Sequence, residues 1–223
     1  MKQDALAVGE VYHVLNRSIA GFQVFNDESE YKRMRELFTY YQQEKPPLRF
    51  SRYLNSNRSN SEKDNRGGDN KLVEIIAYCI MPTHFHLILQ QKKEGGISIY
   101  MSNILNSYTR YFNTKHKRKG PLWEGRFKRI RVKTDEELLH LTRYIHLNPV
   151  TAYLVNKPEN WQFSSYQEYL SQAEGNNKIC NFSELLEIKP STYKTFVEDR
   201  IAYQRELAKI KNLLMETTTI STS

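Results

Sequence analysis

The sequence predicts an α+β fold, in which helices cover one face of an antiparallel sheet. Four short stretches alternate apolar with polar residues or are continuously apolar, which is typical of strands. Two stretches between them, and one after the last of them, repeat their apolar residues at helical spacing. The resulting order, β-α-β-β-α-β-α, is that of a ferredoxin-like (RRM-like) domain. A chain of 223 residues can hold one domain of ordinary size with an appended tail, or two very small domains.

The first half of this order comprises a strand at 10–16, a helix within 27–44 and a hairpin. The helix starts in the acid-rich run Asn26-Asp27-Glu28, as helix N-termini commonly do. The hairpin pairs 72–81 with a strand that starts at His84. Residues 54–70 are almost all Asn, Ser, Gly or charged, which predicts a mobile polar insertion.

The second half comprises a helix over about 97–114, a strand at 127–133 and a final helix. The strand alternates apolar and basic residues, so we expect it to be half-buried. Thr134 and Glu137 have the spacing of a capping box, which predicts that the final helix starts after Thr134. The Asn148-Pro149 pair predicts that this helix ends near Leu147.

The chain divides, on this interpretation, into a domain at 1–172 and a C-terminal part at 173–223. Residues 181–212 are weakly patterned but favour helix, so the C-terminal part is predicted as a helical extension. The polar residues from Glu216 to Ser223 predict a disordered tail.

Positive charge is concentrated in one segment. The net charge is +8 and the segment 110–133 holds ten Lys and Arg residues against one acid, Glu124. Basic side chains bind phosphates, and interleaved aromatic side chains can stack on bases. The segment therefore predicts nucleic-acid binding, although a merely solvated basic loop is the alternative. The candidate contacts are Lys117, Arg118, Lys119, Trp123, Arg126, Lys128, Arg129 and Arg131.

Other features of the composition exclude several classes of protein. The mean hydropathy is −0.69, and no stretch has the apolar length that crosses a bilayer. The first residues lack the apolar run of a signal peptide, so we expect a cytoplasmic protein without a membrane partner. Cys79 and Cys180 are the only cysteines and are far apart, which argues against a disulfide framework or a CxxC metal site.

Two histidines mark a candidate metal site. His84 and His86 are two residues apart on a predicted strand, so they project from the same face of the sheet. Phe85, Leu87 and Leu89 then face the opposite side, where a core can bury them. Two same-face imidazoles can clamp a divalent metal, but they can also be ordinary surface residues of a strand.

Tyr144 and Asn148 supply the second half of this candidate site. They lie one helical turn apart on the predicted final helix, with His140 one turn earlier. The amide oxygen of Asn148 can complete a ligand set with His84 and His86, and such mixed donors suit Mg²⁺ or Mn²⁺. A metal-polarised phosphodiester is open to attack by a phenol such as Tyr144, whose unperturbed pKa is about 10.

These residues occur in segments that resemble the HUH single-tyrosine (Y1), IS200-like transposases, and most closely the REP-associated tyrosine transposases. The similarity spans roughly residues 10–170. It rests on segments in the same order along the chain: Tyr12-His13-Val14 with Asn16-Arg17, Tyr78 to Leu87, Tyr108 to Asn113, Gly120 to Lys128, Arg143 to Val150, and Trp161 to Tyr166.

The resemblance implies metal-dependent cleavage and strand transfer of single-stranded or hairpin DNA through a 5′-phosphotyrosine, with 1–172 as the catalytic domain. It places the nucleophile at Tyr144 and the ligands at His84, His86 and Asn148, where the insertion-sequence branch has a glutamine. It also implies that Arg17 lies near the substrate. Members include monomers and homodimers, so both states remain open.

Three other functions compete with this interpretation. One is a domesticated nucleic-acid-binding protein that has lost catalysis, against which the intact candidate residues argue. A replication initiator or relaxase uses the same histidine pair but brings a third histidine, which the sequence does not identify. A phosphodiesterase of the His-x-Thr type needs a second copy of its motif, and none is present.

Overall fold

The computed structural model describes residues 5–46, 48, 50–57, 70–170 and 178–220. In this part of the chain four strands form one sheet in the order β2-β3-β1-β4. Strand β1 pairs antiparallel with both β3 and β4. The predicted α+β fold with an antiparallel sheet is therefore confirmed. The strands are β1 (Val11–Arg17), β2 (Val73–Met81), β3 (His84–Gln91) and β4 (Lys128–Val132).

Seven α-helices and two short 3₁₀ helices lie in the described residues. The two predicted between strands are present, and the helix after β4 begins where it was expected. Short 3₁₀ helices occur at Ile19–Gly21 and Pro158–Asn160. The α-helices are α1 (Glu28–Tyr40), α2 (Phe50–Asn57), α3 (Gly96–Lys115), α4 (Asp135–Thr151), α5 (Tyr166–Leu170), α6 (Pro190–Glu198) and α7 (Ile201–Ile220).

The chain forms two compact units. The first comprises Met1–Ile76 and Pro82–Val132, and the second comprises Ala77–Met81 and Lys133–Ser223. The predicted domain boundary near residue 172 stays a prediction. Among the described residues, no helix combines the length and apolar character that a membrane crossing requires.

The core of the first unit lies between one face of the sheet and helices α1 and α3. Phe85, Leu87 and Leu89 of β3 are fully buried on this face, as the alternating pattern predicts. The ring of Phe38 on α1 packs edge-on against Phe85, with ring centroids 5.5 Å apart. The Tyr100 hydroxyl on α3 donates a 3.0 Å hydrogen bond to the carbonyl of Phe38. Helix α1 therefore contacts both β3 and α3.

Helix α3 starts at a glycine because of a close backbone approach. A Cβ at Gly96 would lie 2.2 Å from the carbonyl oxygen of Leu72, which no side chain tolerates. The contact fixes the start of α3 beside the start of β2.

Helix α4 runs past the predicted end at Leu147 and contains Pro149, so that prediction is wrong. Proline removes one helical hydrogen bond, but burial of the flanking residues outweighs the loss. Leu147 and Val150 are both 1% exposed. The Arg205 guanidinium on α7 also donates to the carbonyl of Val150, which satisfies one of the last carbonyls of the helix.

Two polar segments are more regular than their composition predicts. Residues 54–57 of the predicted mobile insertion belong to α2, which is anchored by the rings of Phe50 and Tyr53 against Tyr40. Residues 58–69 of that insertion lie outside the described residues. The predicted tail is helical through Ile220, because a helix that has started gains one hydrogen bond with each added residue. Residues 221–223 lie outside the described residues.

Strand β4 is less buried than its alternating pattern predicts. Ile130 is 66% exposed, so the expected half-burial is wrong at this position. The physical reason is its place in the sheet. β4 stands at one end of the strand order, and Ile130 pairs with His13, which faces away from the core formed with α1 and α3.

Candidate functional site

The histidine pair lies on the face of the sheet opposite to the core of the first unit. In the β1–β3 register Arg17 pairs with His84 and Leu15 with His86. Directly paired residues of an antiparallel ladder share a face. His84, His86, Arg17 and His13 therefore share one face, with His13 diagonal to His86.

His13 is a third histidine of this cluster, and the sequence interpretation missed it. Its Nε2 lies 2.9 Å from Nδ1 of His86. Both rings are buried, and His13 is 9% exposed while His86 is 5% exposed. Val11, His13 and Leu15 alternate along β1 and therefore share one face of the strand. Only the pairing of β1 with β3 shows that His86 is the residue that His13 contacts.

His84 has its own partner for Nδ1, the hydroxyl of Thr83 at 3.0 Å. The rings of His84 and His86 are 5.1 Å apart between centroids and nearly perpendicular. A histidine whose Nδ1 carries the proton has its lone pair on Nε2, the form that ligates a metal. The contacts at Nδ1 are thus compatible with two Nε2 ligands on one face.

Burial keeps this cluster neutral. It lowers the pKa of His13 to about 4. Burial, and then the nearby Arg17 charge, lower the pKa of His84 to about 4. The pKa of His86 is also lowered, first by burial and then by His13, His84 and Arg17. Neutral imidazole is the form that binds a metal, so the electrostatics agree with the candidate ligand role.

The side chains predicted to bind Mg²⁺ or Mn²⁺ are those of His84, His86 and Asn148. Within the described residues, no group of three or more His, Cys, Asp or Glu side chains is arranged to hold a metal. The predicted set instead combines two imidazoles with an amide oxygen, from Asn148 in the second unit. Its Nδ2 is buried and has no hydrogen-bond partner in the described part of the chain. A half-turn of the amide would place its oxygen at this unpartnered position, and an amide oxygen is a donor that suits a hard cation.

Helix α4 of the second unit carries Tyr144 and Asn148. Thr134 caps its first turn by accepting a 3.1 Å hydrogen bond from the backbone N–H of Glu137. The Glu137 carboxylate accepts from the backbone N–H of Lys133, so the predicted capping box is present with its return bond shifted by one residue. Tyr144 is 44% exposed, so it is not a packed core tyrosine.

The opposite face of α4 is held by the fully buried His146. Its Nδ1 lies 2.7 Å from the Tyr193 hydroxyl, and its Nε2 lies 2.8 Å from the Ser165 hydroxyl. Ser165 also bonds to the backbone N–H and carbonyl of Tyr78 on β2. Burial lowers the pKa of His146 to about 3, so the ring is neutral. These contacts fix the rotation of α4 about its own axis within the second unit.

Arg143 adds a second attachment of α4 to α6. Its guanidinium lies 4.0 Å from the ring centroid of Phe196, and it also donates to the carbonyl of that residue. A third contact, at 2.7 Å, joins it to Nδ1 of His140. The residue before Tyr144 is therefore tied to the C-terminal helices.

The predicted DNA contacts of the basic segment fall into two groups. Arg118 donates to Asn113 and to the carbonyl of Pro121, and Arg131 forms an ion pair with Glu10. Arg129 is half-buried. Arg131 is exposed although it is paired with Glu10. The other exposed basic side chains among the predicted contacts, which are accessible to a phosphate backbone, are Arg17, Lys117, Lys119, Arg126 and Lys128.

Trp123 lies in the core of the first unit, which corrects the expectation that it stacks on a base. It is 8% exposed, and its ring packs against Phe25, Phe85 and Tyr108. Its indole N–H donates to the carbonyl of Leu105. The basic residues around a tryptophan in the sequence do not indicate whether its ring is buried in the core or exposed for stacking on a base.

Comparisons with known proteins point to one family. Residues 65–148 match the family model of IS200-like transposases. A Haemophilus influenzae protein, named provisionally as a REP-associated tyrosine transposase, is 27% identical over 103 residues. The match covers 42% of this chain and 58% of that protein, so the chain spans less than two thirds of this curated relative.

A solved structure of a REP-associated tyrosine transposase bound to a REP hairpin shares the fold. The TM-score is 0.50, and the match covers 85% of this chain and 98% of the other. The sequences are 16% identical, so this likeness concerns the fold alone.

Proposed function

We propose that this chain, whose residues 65–148 match the family model of IS200-like transposases, cleaves and rejoins single-stranded DNA through a 5′-phosphotyrosine on Tyr144. The observation that carries the proposal is the pair His84 and His86, which share a face and have Nδ1 engaged by neighbouring groups. The partly exposed Tyr144, one turn before Asn148, supplies the remaining groups.

The proposed reaction begins when the Tyr144 phenol loses its proton to water and its oxygen attacks a backbone phosphorus. The new bond is between phosphorus and the phenolic oxygen, and the bond to the 3′ oxygen of the preceding nucleotide breaks. That oxygen takes a proton and leaves as a 3′-hydroxyl. Attack by a 3′-hydroxyl on the phosphotyrosine reverses these steps and joins two strands without an external energy source.

A Mg²⁺ or Mn²⁺ ion held by His84, His86 and Asn148 would stabilise the charge that develops on the phosphoryl oxygens. The side chain of Arg17 shares the face of the histidine pair and pairs in register with His84. Its proposed role is to bind a phosphate of the scissile strand.

The proposed substrate is hairpin DNA. The exposed basic side chains of the first unit support a phosphate-binding surface, and a protein of the same fold has been solved with a REP hairpin. The contacts proposed for this surface are Arg17, Lys117, Lys119, Arg126 and Lys128.

The test of the nucleophile is covalent capture of a hairpin oligonucleotide in Mg²⁺ or Mn²⁺. The label belongs at the 3′ end, because the 5′-phosphotyrosine retains the downstream fragment. We expect a protein–DNA adduct on a denaturing gel for the wild type and none for Tyr144→Phe, which should still bind the hairpin. Tyr153→Phe is the matched control, since Tyr153 is 54% exposed and also loses a hydroxyl. An adduct with Tyr144→Phe would refute the assignment.

The alternative is a binding protein of the same fold without catalysis. The exposed basic residues are compatible with it, and the same experiment separates the two functions. Hairpin binding by the wild type without any adduct, with either metal and with several hairpins, would favour the alternative.

A further inference from the structure

We infer that His13 is a positioning residue that fixes the tautomer and the ring orientation of His86, so that Nε2 of His86 is its metal ligand. The metal part of this inference rests on the proposed function. The part that concerns the tautomer of His86 needs no metal, because the contact between the two rings is present in the protein alone and the inference assigns the shared proton to His86.

The contact has the geometry of a normal hydrogen bond in the plane of both rings. Nε2 of His13 and Nδ1 of His86 are 2.9 Å apart. The ring planes differ by 17° and the centroids are 5.2 Å apart. The 2.9 Å contact and the radii of the two rings add up to the centroid separation. The two nitrogens therefore lie on the line between the ring centres, and the rings meet end to end. The lone pair of one nitrogen therefore points along the N–H bond of the other.

The strand register explains why these two residues meet. His13 pairs with Ile88 and His86 with Leu15, so the histidines are diagonal neighbours on one face. Diagonal neighbours in an antiparallel pair are within reach of two long rings but not of short side chains. Both residues are more than nine-tenths buried, so water replaces this contact poorly.

Only one proton can lie between two facing nitrogens at this distance. If His86 holds it on Nδ1, its lone pair is on Nε2 and His13 is the acceptor. The contact of Thr83 with Nδ1 of His84, at 3.0 Å, repeats this arrangement on the other histidine. Metal-binding histidines commonly have such a partner on the second ring nitrogen. The Nε2 of His13 is engaged by His86, so His13 supports the pair and does not act as a third ligand.

The tautomer is tested in the metal-free protein by long-range ¹H–¹⁵N NMR of the histidine rings. We expect His86 to carry its proton on Nδ1 in the wild type and in His13→Gln, whose amide oxygen can accept the same hydrogen bond. In His13→Phe, which keeps a ring but has no acceptor, we expect a mixture of tautomers. A wild-type His86 protonated on Nε2 would overturn the inference, whether or not either variant folds.

The consequence for the metal is tested by Mn²⁺ titration followed by electron paramagnetic resonance. Loss of a supporting partner of this kind typically weakens metal binding about 10- to 100-fold. We expect that loss in His13→Phe, and affinity within about threefold of the wild type in His13→Gln. Equal affinities of the wild type and His13→Phe would overturn the role of His13. If no protein binds Mn²⁺ while His86 still carries its proton on Nδ1, the proposed metal chemistry fails but the positioning contact stands.

Discussion

Acid is expected to destabilise the second unit through His146. This histidine is fully buried, and both ring nitrogens bond to hydroxyl groups, of Tyr193 and Ser165. Burial lowers its pKa to about 3, whereas a histidine in an unfolded chain titrates near 6.5. The effect of pH on stability is therefore compared between the wild type and His146→Gln, which has no titrating ring at this position.

The sign and the size of the effect follow from these two pKa values. Between pH 6.5 and 3 the unfolded chain binds a proton that the folded chain excludes, so stability falls as the pH falls. The contribution of His146 is fully present above pH 6.5 and is lost progressively toward the folded pKa. A pH of 5 is about 1.5 units below the pKa of this histidine in the unfolded chain. That difference corresponds to about 2 kcal/mol of lost stability.

The assay is urea unfolding at pH 7.5 and pH 5.0, followed by tryptophan fluorescence in EDTA so that no divalent metal contributes. At pH 7.5 we expect His146→Gln to be less stable by about 1–3 kcal/mol, because its amide replaces the two hydrogen bonds of the ring imperfectly. At pH 5.0 the difference should shrink by about 2 kcal/mol. The other buried histidines are present in both proteins and cancel. A difference of the same size at both pH values would refute the reasoning.

Three further predictions concern stability and DNA binding. Burial raises and hydrogen bonds lower the pKa of Glu30, with a net lowering, and its carboxylate pairs with Lys115 at 2.9 Å. Glu30→Gln should therefore lower the melting temperature at pH 7 by roughly 2–4 °C for each kcal/mol of stability lost. The wild type should lose this advantage as the pH falls through the pKa of Glu30, and an unchanged melting temperature would contradict the pairing. Thr134→Ala should cost about 1 kcal/mol in urea unfolding and Thr134→Ser much less, since only alanine lacks the oxygen that caps α4. Hairpin affinity should fall steeply with salt, and Lys119→Gln or Arg126→Gln should each reduce the slope by about one unit; an unchanged slope would remove that residue from the interface.

The periodic features of the fold could be predicted from the sequence because each follows from a local pattern. Apolar alternation in β3 indicates which side chains face the core, and Phe85, Leu87 and Leu89 are buried as it predicts. The contact of His13 with His86 could not be predicted in this way. The two residues are 73 positions apart in the sequence and meet only because β1 pairs with β3 in one particular register. No local pattern around either histidine indicates that register.

The incorrect predictions arise where tertiary packing overrides a local rule. Pro149 predicts the end of a helix, but Leu147 and Val150 are buried on both sides of it, and the helix continues to Thr151. Trp123 lies in a basic segment that favours DNA contact, yet it fills the space between Phe85 and Tyr108. Composition describes the neighbours of a residue in sequence, whereas burial depends on its neighbours in space.

The direction in which Tyr144 and Asn148 point follows from the residue midway between them. Each helical residue rotates by about 100°, so both lie about 200° from His146 around α4. Because His146 is fixed in the buried face by Tyr193 and Ser165, Tyr144 and Asn148 must point to the opposite face. In the first unit His13 similarly limits the orientation of His86. In each unit a buried neutral histidine thus restricts the geometry of residues proposed to act on DNA, so that few of their orientations remain open before a substrate binds.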